Sequence, residues 1–141
     1  MEFELPFPPS VNRIWRNIGN RTILSREARL YRQTIESILQ CKRFNILVGP
    51  IAVDILAFPP DRRRRDIDNL SKALLDSLQH AGAFLDDSQI ERLSIERREV
   101  IPNGSVIVRI EPIEVPVLAI VKPLQKRRAK RLNKIPVEAV D

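Results

Sequence analysis

One stretch limits the possible folds before any other. Residues 51–58, Ile-Ala-Val-Asp-Ile-Leu-Ala-Phe, are rich in β-branched and apolar side chains, with Gly49-Pro50 before them and Pro59-Pro60 after. Such a run reads as a strand covered on much of both faces, and the flanking prolines cannot continue a ladder. Residues 2–7 alternate polar and apolar, a short strand with Phe3, Leu5 and Phe7 sharing its inner face. Ser25 is placed to cap a helix over 26–43, in which Ala28, Tyr31, Ile35, Ile38 and Leu39 form one apolar stripe. Asp68 or Asn69 can cap a second helix over 69–80, with Leu70, Ala73, Leu74, Ser77, Leu78 and Ala81 as its buried stripe and Gly82 as its stop. Two further strands, 93–100 and 106–110, flank Pro102-Asn103-Gly104-Ser105, and Asn-Gly between apolar runs is a strong hairpin signal. The expected fold is α+β: a small mixed sheet of about four strands, including a C-terminal hairpin, packed with two main helices.

Between the first strand and the first helix, residues 13–23 lack clear periodicity, and Gly19-Asn20 marks a turn. Arg13, Trp15, Arg16, Asn17, Asn20 and Arg21 in this segment are donors suited to a sugar-phosphate backbone. The plainer alternative is a polar loop with Trp15 plugging the core beneath it.

The 141 residues are one domain by length. The net charge of +6 is unevenly spread. Residues 1–114 hold 17 Lys/Arg against 16 Asp/Glu, whereas residues 115–141 hold 7 against 2. The expected organisation is therefore a domain over 1–114 and a basic C-terminal extension over 115–141, whose Lys126–Arg131 run suits nonspecific attraction to DNA or a solubilising end. Within the body, arginines cluster near the start and at Arg62, Arg63, Arg64 and Arg65, and clustering makes a nucleic-acid footprint because phosphate neutralisation is local. The lone Cys41 excludes a disulfide within the chain and a cysteine-cluster zinc site, and the lone His80 leaves little for a histidine-based centre. No apolar run approaches the ~20 residues of a membrane span, and the start Met-Glu-Phe-Glu lacks the features of a signal peptide. A cytoplasmic location is expected.

The chemistry concentrates in 61–87. Four arginines run into Asp66-Ile-Asp68-Asn69, Lys72 follows one turn later, and Asp86-Asp87 lies beyond the helix. Extended backbone would project Asp66 and Asp68 to the same face, and two like charges held close repel unless a cation or proton sits between them. Mg²⁺ takes oxygen ligands, often one or two carboxylates plus substrate phosphate, while the guanidinium fork matches phosphate oxygens. Carboxylates for metal beside cations for phosphate suit metal-dependent phosphoryl chemistry. The bland reading of Lys72 is an i,i+4 surface ion pair, for which both Asp68 and Asp76 stand at the right spacing. Asp66 and Asp68 can meet Asp87 only if the intervening helix packs back.

The run Asp61-Arg-Arg-Arg-Arg-Asp-Ile-Asp-Asn-Leu, then Lys72, then Phe84-Leu-Asp-Asp-Ser-Gln-Ile, resembles the signature of the RusA family of Holliday junction resolvases. The opening Leu5-Pro-Phe-Pro-Pro-Ser-Val-Asn-Arg13 is similar to that family's N-terminal segment, so the likeness spans roughly residues 3–112. The resemblance implies an Mg²⁺-dependent, structure-selective endodeoxyribonuclease, with Mn²⁺ as a possible substitute, resolving four-way junctions by paired nicks as a homodimer encoded by a bacterium or phage. It implies that Asp66, Asp68 and Asp87 bind the metal, with Asp87 preferred to Asp86, and that Lys72 is the catalytic lysine. Arg13, Arg16, Arg62 to Arg65 and Asn69 are expected to hold DNA. Two other readings compete: a branched-DNA-binding module without catalysis, and a nucleotide-sugar enzyme, for which 141 residues leave little room.

Overall fold

The computed structural model describes residues 1–114; the expectations for 115–141, including the basic run, lie outside the described residues. In chain order the elements are β1 (Glu2–Leu5), β2 (Trp15–Ile18), β3 (Arg21–Leu24), α1 (Arg26–Gln40), β4 (Ile51–Phe58), α2 (Ser71–His80), β5 (Ile90–Arg97) and β6 (Ser105–Pro112). The main sheet has the order β1-β6-β4-β5, with β5 parallel to β4 and the other pairs antiparallel. This is the expected mixed α+β arrangement.

The strand over 51–58 falls where the proline brackets put it and sits inside the sheet. Its Ile51, Val53, Ile55 and Ala57 join Phe3, Leu5, Val106, Val108 and Ile110 on one face. Tyr31, Ile35 and Leu39 of α1, with Leu74 and Leu78 of α2, cover that face. On the other face Asp54, Leu56 and Phe58 stay half-buried, so both-face coverage is only partial. Ser25 caps α1 as expected, its side chain accepting from the Ala28 amide at 3.1 Å. The helix ends at Gln40, short of the expected 43.

Three expectations need correction. Residues 67–70 form a 3₁₀ turn before α2 begins at Ser71, so neither Asp68 nor Asn69 is its cap, and Asp68 does not lie in extended backbone. The segment after Ile14 is a two-stranded antiparallel ribbon, β2 with β3, and not a loop. Trp15 does not plug the core: it is 54% exposed, and Ile14, 2% exposed, takes the buried place.

The third correction concerns the C-terminal hairpin. β5 and β6 are consecutive in sequence but pair to opposite sides of β4. The chain reaches β5 through α2, the helical crossover that a parallel pair requires. It then steps over the end of β4, where the Arg98 amide donates to the Ala57 carbonyl and the Ile101 amide to that of Pro59. The turn at Asn-Gly is real. Gly104 N–H bonds to the Ile101 carbonyl, with Pro102 at the second position and Asn103 at φ 66 in the third, which is the pattern of a type II turn. Hairpins prefer type I′ or II′ turns, whose twist matches the strands.

Candidate nucleic-acid interface

An open cleft of about 820 Å³ lies between the first loop, α1 and the arginine run. Arg13, Arg63, Arg64, Arg65, Asp66 and Asn69 all line it, so six of the expected site residues share one cleft. Buried Pro8 and Pro9, half-buried Phe7 and exposed Leu30 supply its apolar side. Asn12 and Asn103 also face it. Neither was singled out from the sequence, although Asn103 sits in the turn that the Asn-Gly signal marks.

The arginines are not equivalent. Asp61 organises the run by accepting the Arg63 amide at 2.9 Å and the Arg65 guanidinium at 2.7 Å. Its carboxyl is held down to about 2, first by the Arg65 side-chain hydrogen bond and then by the Arg63 amide. Arg65 also stacks on the Phe7 ring at 5.6 Å. Its guanidinium is thus committed to holding the loop, which leaves Arg62, Arg63 and Arg64, all exposed, as the groups that can reach phosphate. Arg97 at the end of β5 donates to the Arg65 carbonyl and ties the loop to the sheet.

Asp66 stands at the N-cap position of the 3₁₀ turn yet its side chain caps nothing. Asp68 lies within that turn, and both aspartates are exposed on either side of half-buried Ile67. These are hard oxygen donors beside cations, which fits a magnesium site built from one or two carboxylates plus phosphate. Lys72 takes Asp76 as partner at 3.1 Å, the competing i,i+4 choice.

Asp86 and Asp87 divide their roles. Asp86 completes a capping box on the 3₁₀ turn 87–89, accepting from the Ser88 amide while the Gln89 side chain accepts from the Asp86 amide. The Asp86 carboxyl is held below the ordinary range, chiefly by a hydrogen bond with the Asp87 side chain and next by Ser88. Asp87 carries no capping duty and is exposed.

Among the described residues, no three His, Cys, Asp or Glu side chains are grouped so as to hold a metal ion. The topology gives the reason. Asp66 and Asp68 follow β4, beside the end of β5 where Arg97 meets Arg65. Asp87 precedes β5, beside the start of β4, where Gln89 donates to the carbonyls of Leu47 and Gly49. Its amide bonds to Gln79 at the far end of α2. A helix of ten residues is about 15 Å long, whereas Mg²⁺ holds its oxygens at about 2.1 Å. The helix packs back, but it sets Asp87 at the opposite end.

The family model for endodeoxyribonuclease RusA matches residues 6–111, three quarters of the chain. This chain belongs to the RusA family. The crossover junction endodeoxyribonuclease rusA of Enterobacteria phage HK97 is 36% identical over 114 residues, covering 80% of this chain and 95% of that protein. The proteins of the same name from Enterobacteria phage 82 and Escherichia coli K12 are each 39% identical over 107 residues, covering 75% of this chain and 89% of theirs. The RusA match includes the arginine run, all three aspartates and both walls of the cleft, and it ends inside β6, short of the basic extension. No helix among the described residues is long and apolar enough to cross a membrane.

Proposed function

We propose that this RusA-family chain is a metal-dependent crossover junction endodeoxyribonuclease, nicking opposed strands of a four-way DNA junction as a homodimer in the cytoplasm of a bacterium or phage-infected cell. The observation that carries this reading is that Arg13, Arg63, Arg64 and Asn69 line the same cleft as Asp66, whose carboxylate caps nothing among the described residues. Phosphate neutralised by the arginines would lie where Asp66 and Asp68 can hold Mg²⁺ (or Mn²⁺). The bound ion would supply Lewis-acid charge neutralisation and an activated water. Arg62, Arg63 and Arg64 position the backbone. Lys72, exposed one turn beyond Asp68, stabilises the negative charge that develops on the phosphate.

Asp87 joins this site from the second copy. β5 is a sheet edge whose residues are mostly exposed, and two copies joined along that edge by a two-fold axis perpendicular to the strands run antiparallel. The start of one β5 then lies against the end of the other, bringing Asp87 of one subunit toward Asp66 and Asp68 of its partner. Two related nicks also call for two related sites.

Purified protein is expected to cut a synthetic immobile junction in Mg²⁺, to stop in EDTA and to spare linear duplex. Binding without cutting under every divalent metal would support the branched-DNA-binding alternative instead. Lys72→Ala is expected to lower the cleavage rate far more than junction affinity, and the reverse pattern would make Lys72 a docking residue. Asp76→Asn breaks only the exposed Lys72 pair and should cost less than about 0.5 kcal/mol in urea unfolding.

A further inference from the structure

The β2–β3 ribbon belongs neither to the core nor to the cleft. Every residue of β2 is exposed, as are Arg21, Thr22 and Ile23 of β3. An isolated two-stranded ribbon is marginal in water, yet this one is firmly rooted. Ile14 at its base is buried with Ala28 of α1 and Ala73 of α2. The Ser25 amide bonds to the Ile14 carbonyl at 2.7 Å, and the Ser25 hydroxyl donates to the Arg13 carbonyl at 2.5 Å. The tip closes at Gly19, φ +59, which suits the first central position of a type II′ turn. The result is a finger fixed at its root and projecting from the wall that carries Arg13.

The register sorts its side chains. Arg16 lies opposite Ile23, and Ile18 opposite Arg21, so two isoleucines and two arginines alternate across one face. Ile18 is 59% exposed and Ile23 36%. Over residues 5–26 the chain carries four arginines and no acid. A polyanion that also offers an apolar surface matches this face. A second copy matches it less well, because it would bring the same excess of arginine to the face and no acid to neutralise it.

We infer that this ribbon is a wedge for the branch point of the junction: Ile18 packs on a base unstacked at the strand exchange while Arg16 and Arg21 hold the flanking phosphates. The inference rests on the junction-cleaving reading above. Apolar side chains set among cations are a recurring means of unstacking a base step, and a branch point has the least stacking to lose. The wedge would admit branched DNA and reject continuous duplex, which has no open step to receive it.

The test places 2-aminopurine at the exchange point of an immobile junction, with protein added in EDTA, and follows its emission together with anisotropy of a distant dye. Wild type is expected to raise the emission at least about twofold on binding, since unstacking relieves quenching. Ile18→Thr, which keeps a β-branched strand residue but removes the apolar contact, should bind while leaving the emission at the free-junction level. Ile18→Leu should restore the rise. An Ile18→Thr protein with the full wild-type rise overturns the wedge, as does one that keeps its thermal unfolding midpoint yet no longer binds, which would make the ribbon a docking handle. A wild type that binds the junction without any rise overturns the wedge alone. A wild type that does not prefer junction to duplex overturns the functional reading along with it.

Discussion

Mixing an Asp66→Asn protein with an Asp87→Asn protein is expected to restore junction cleavage that neither shows alone. Each variant by itself lacks one carboxylate at both sites of the proposed homodimer. Losing several kcal/mol of charge stabilisation at the reacting phosphate lowers the rate on the order of 1,000-fold. In the mixed dimer the two lesions collect in one site, and the other receives Asp66 and Asp68 from one chain and Asp87 from the other, all intact. The expectation follows from the opposite placement of these acids along α2 and the β4–β5 pair. Activity in the mixture should reach a sizeable fraction of wild type, measured after subunit exchange on a labelled junction. If the mixture stays as inactive as its components, Asp87 does not complete the partner's site.

The second large effect is on stability. Gly104 has φ +66, and a Cβ there would lie 2.9 Å from the Phe7 Cβ, 3.0 Å from Pro60 Cδ and 3.1 Å from the Phe58 carbonyl oxygen. Two of those contacts are to backbone or a rigid ring, so little can give. Backbone strain of about 1 kcal/mol adds to overpacking of about 1–3 kcal/mol. Gly104→Ala should therefore lower stability by about 2–4 kcal/mol, a fall in Tm on the order of 10 °C. Gly82 is the control: its φ is +88 but a Cβ there meets nothing within 4 Å, so Gly82→Ala carries the backbone strain alone. Equal losses at the two positions would show that the crowding beneath the cleft is relieved elsewhere.

What the sequence revealed and what it hid divide along a physical line. β4 was legible to the residue because prolines bracket it and most of its side chains are buried. Ser25 and Gly82 marked their helix ends because capping and a left-handed stop are local demands. The β2–β3 ribbon was missed because both its faces meet solvent, and alternation appears only where one face is buried. The hairpin expected of β5 and β6 failed because pairing order is non-local: Asn103-Gly104 specifies a turn but not which strand lies beyond it. Lys72 turned to Asp76 because residues 67–70 wind as a 3₁₀ turn, which rotates Asp68 off the helical face that i,i+4 spacing assumes. The cleft-lining role of Arg13, Arg63, Arg64, Asp66 and Asn69 was readable as a cluster of charge types, whereas the commitment of Arg65 to Asp61 and Phe7 was not.

The placement of the acids at the two ends of one parallel strand pair also bears on when the protein acts. In the proposed homodimer a lone polypeptide holds only part of each ion-binding set, so a newly made copy is harmless to the chromosome. At dilutions below the dimer dissociation constant, the rate of cutting should climb with the square of the amount of protein, making abundance itself the control on strand breakage.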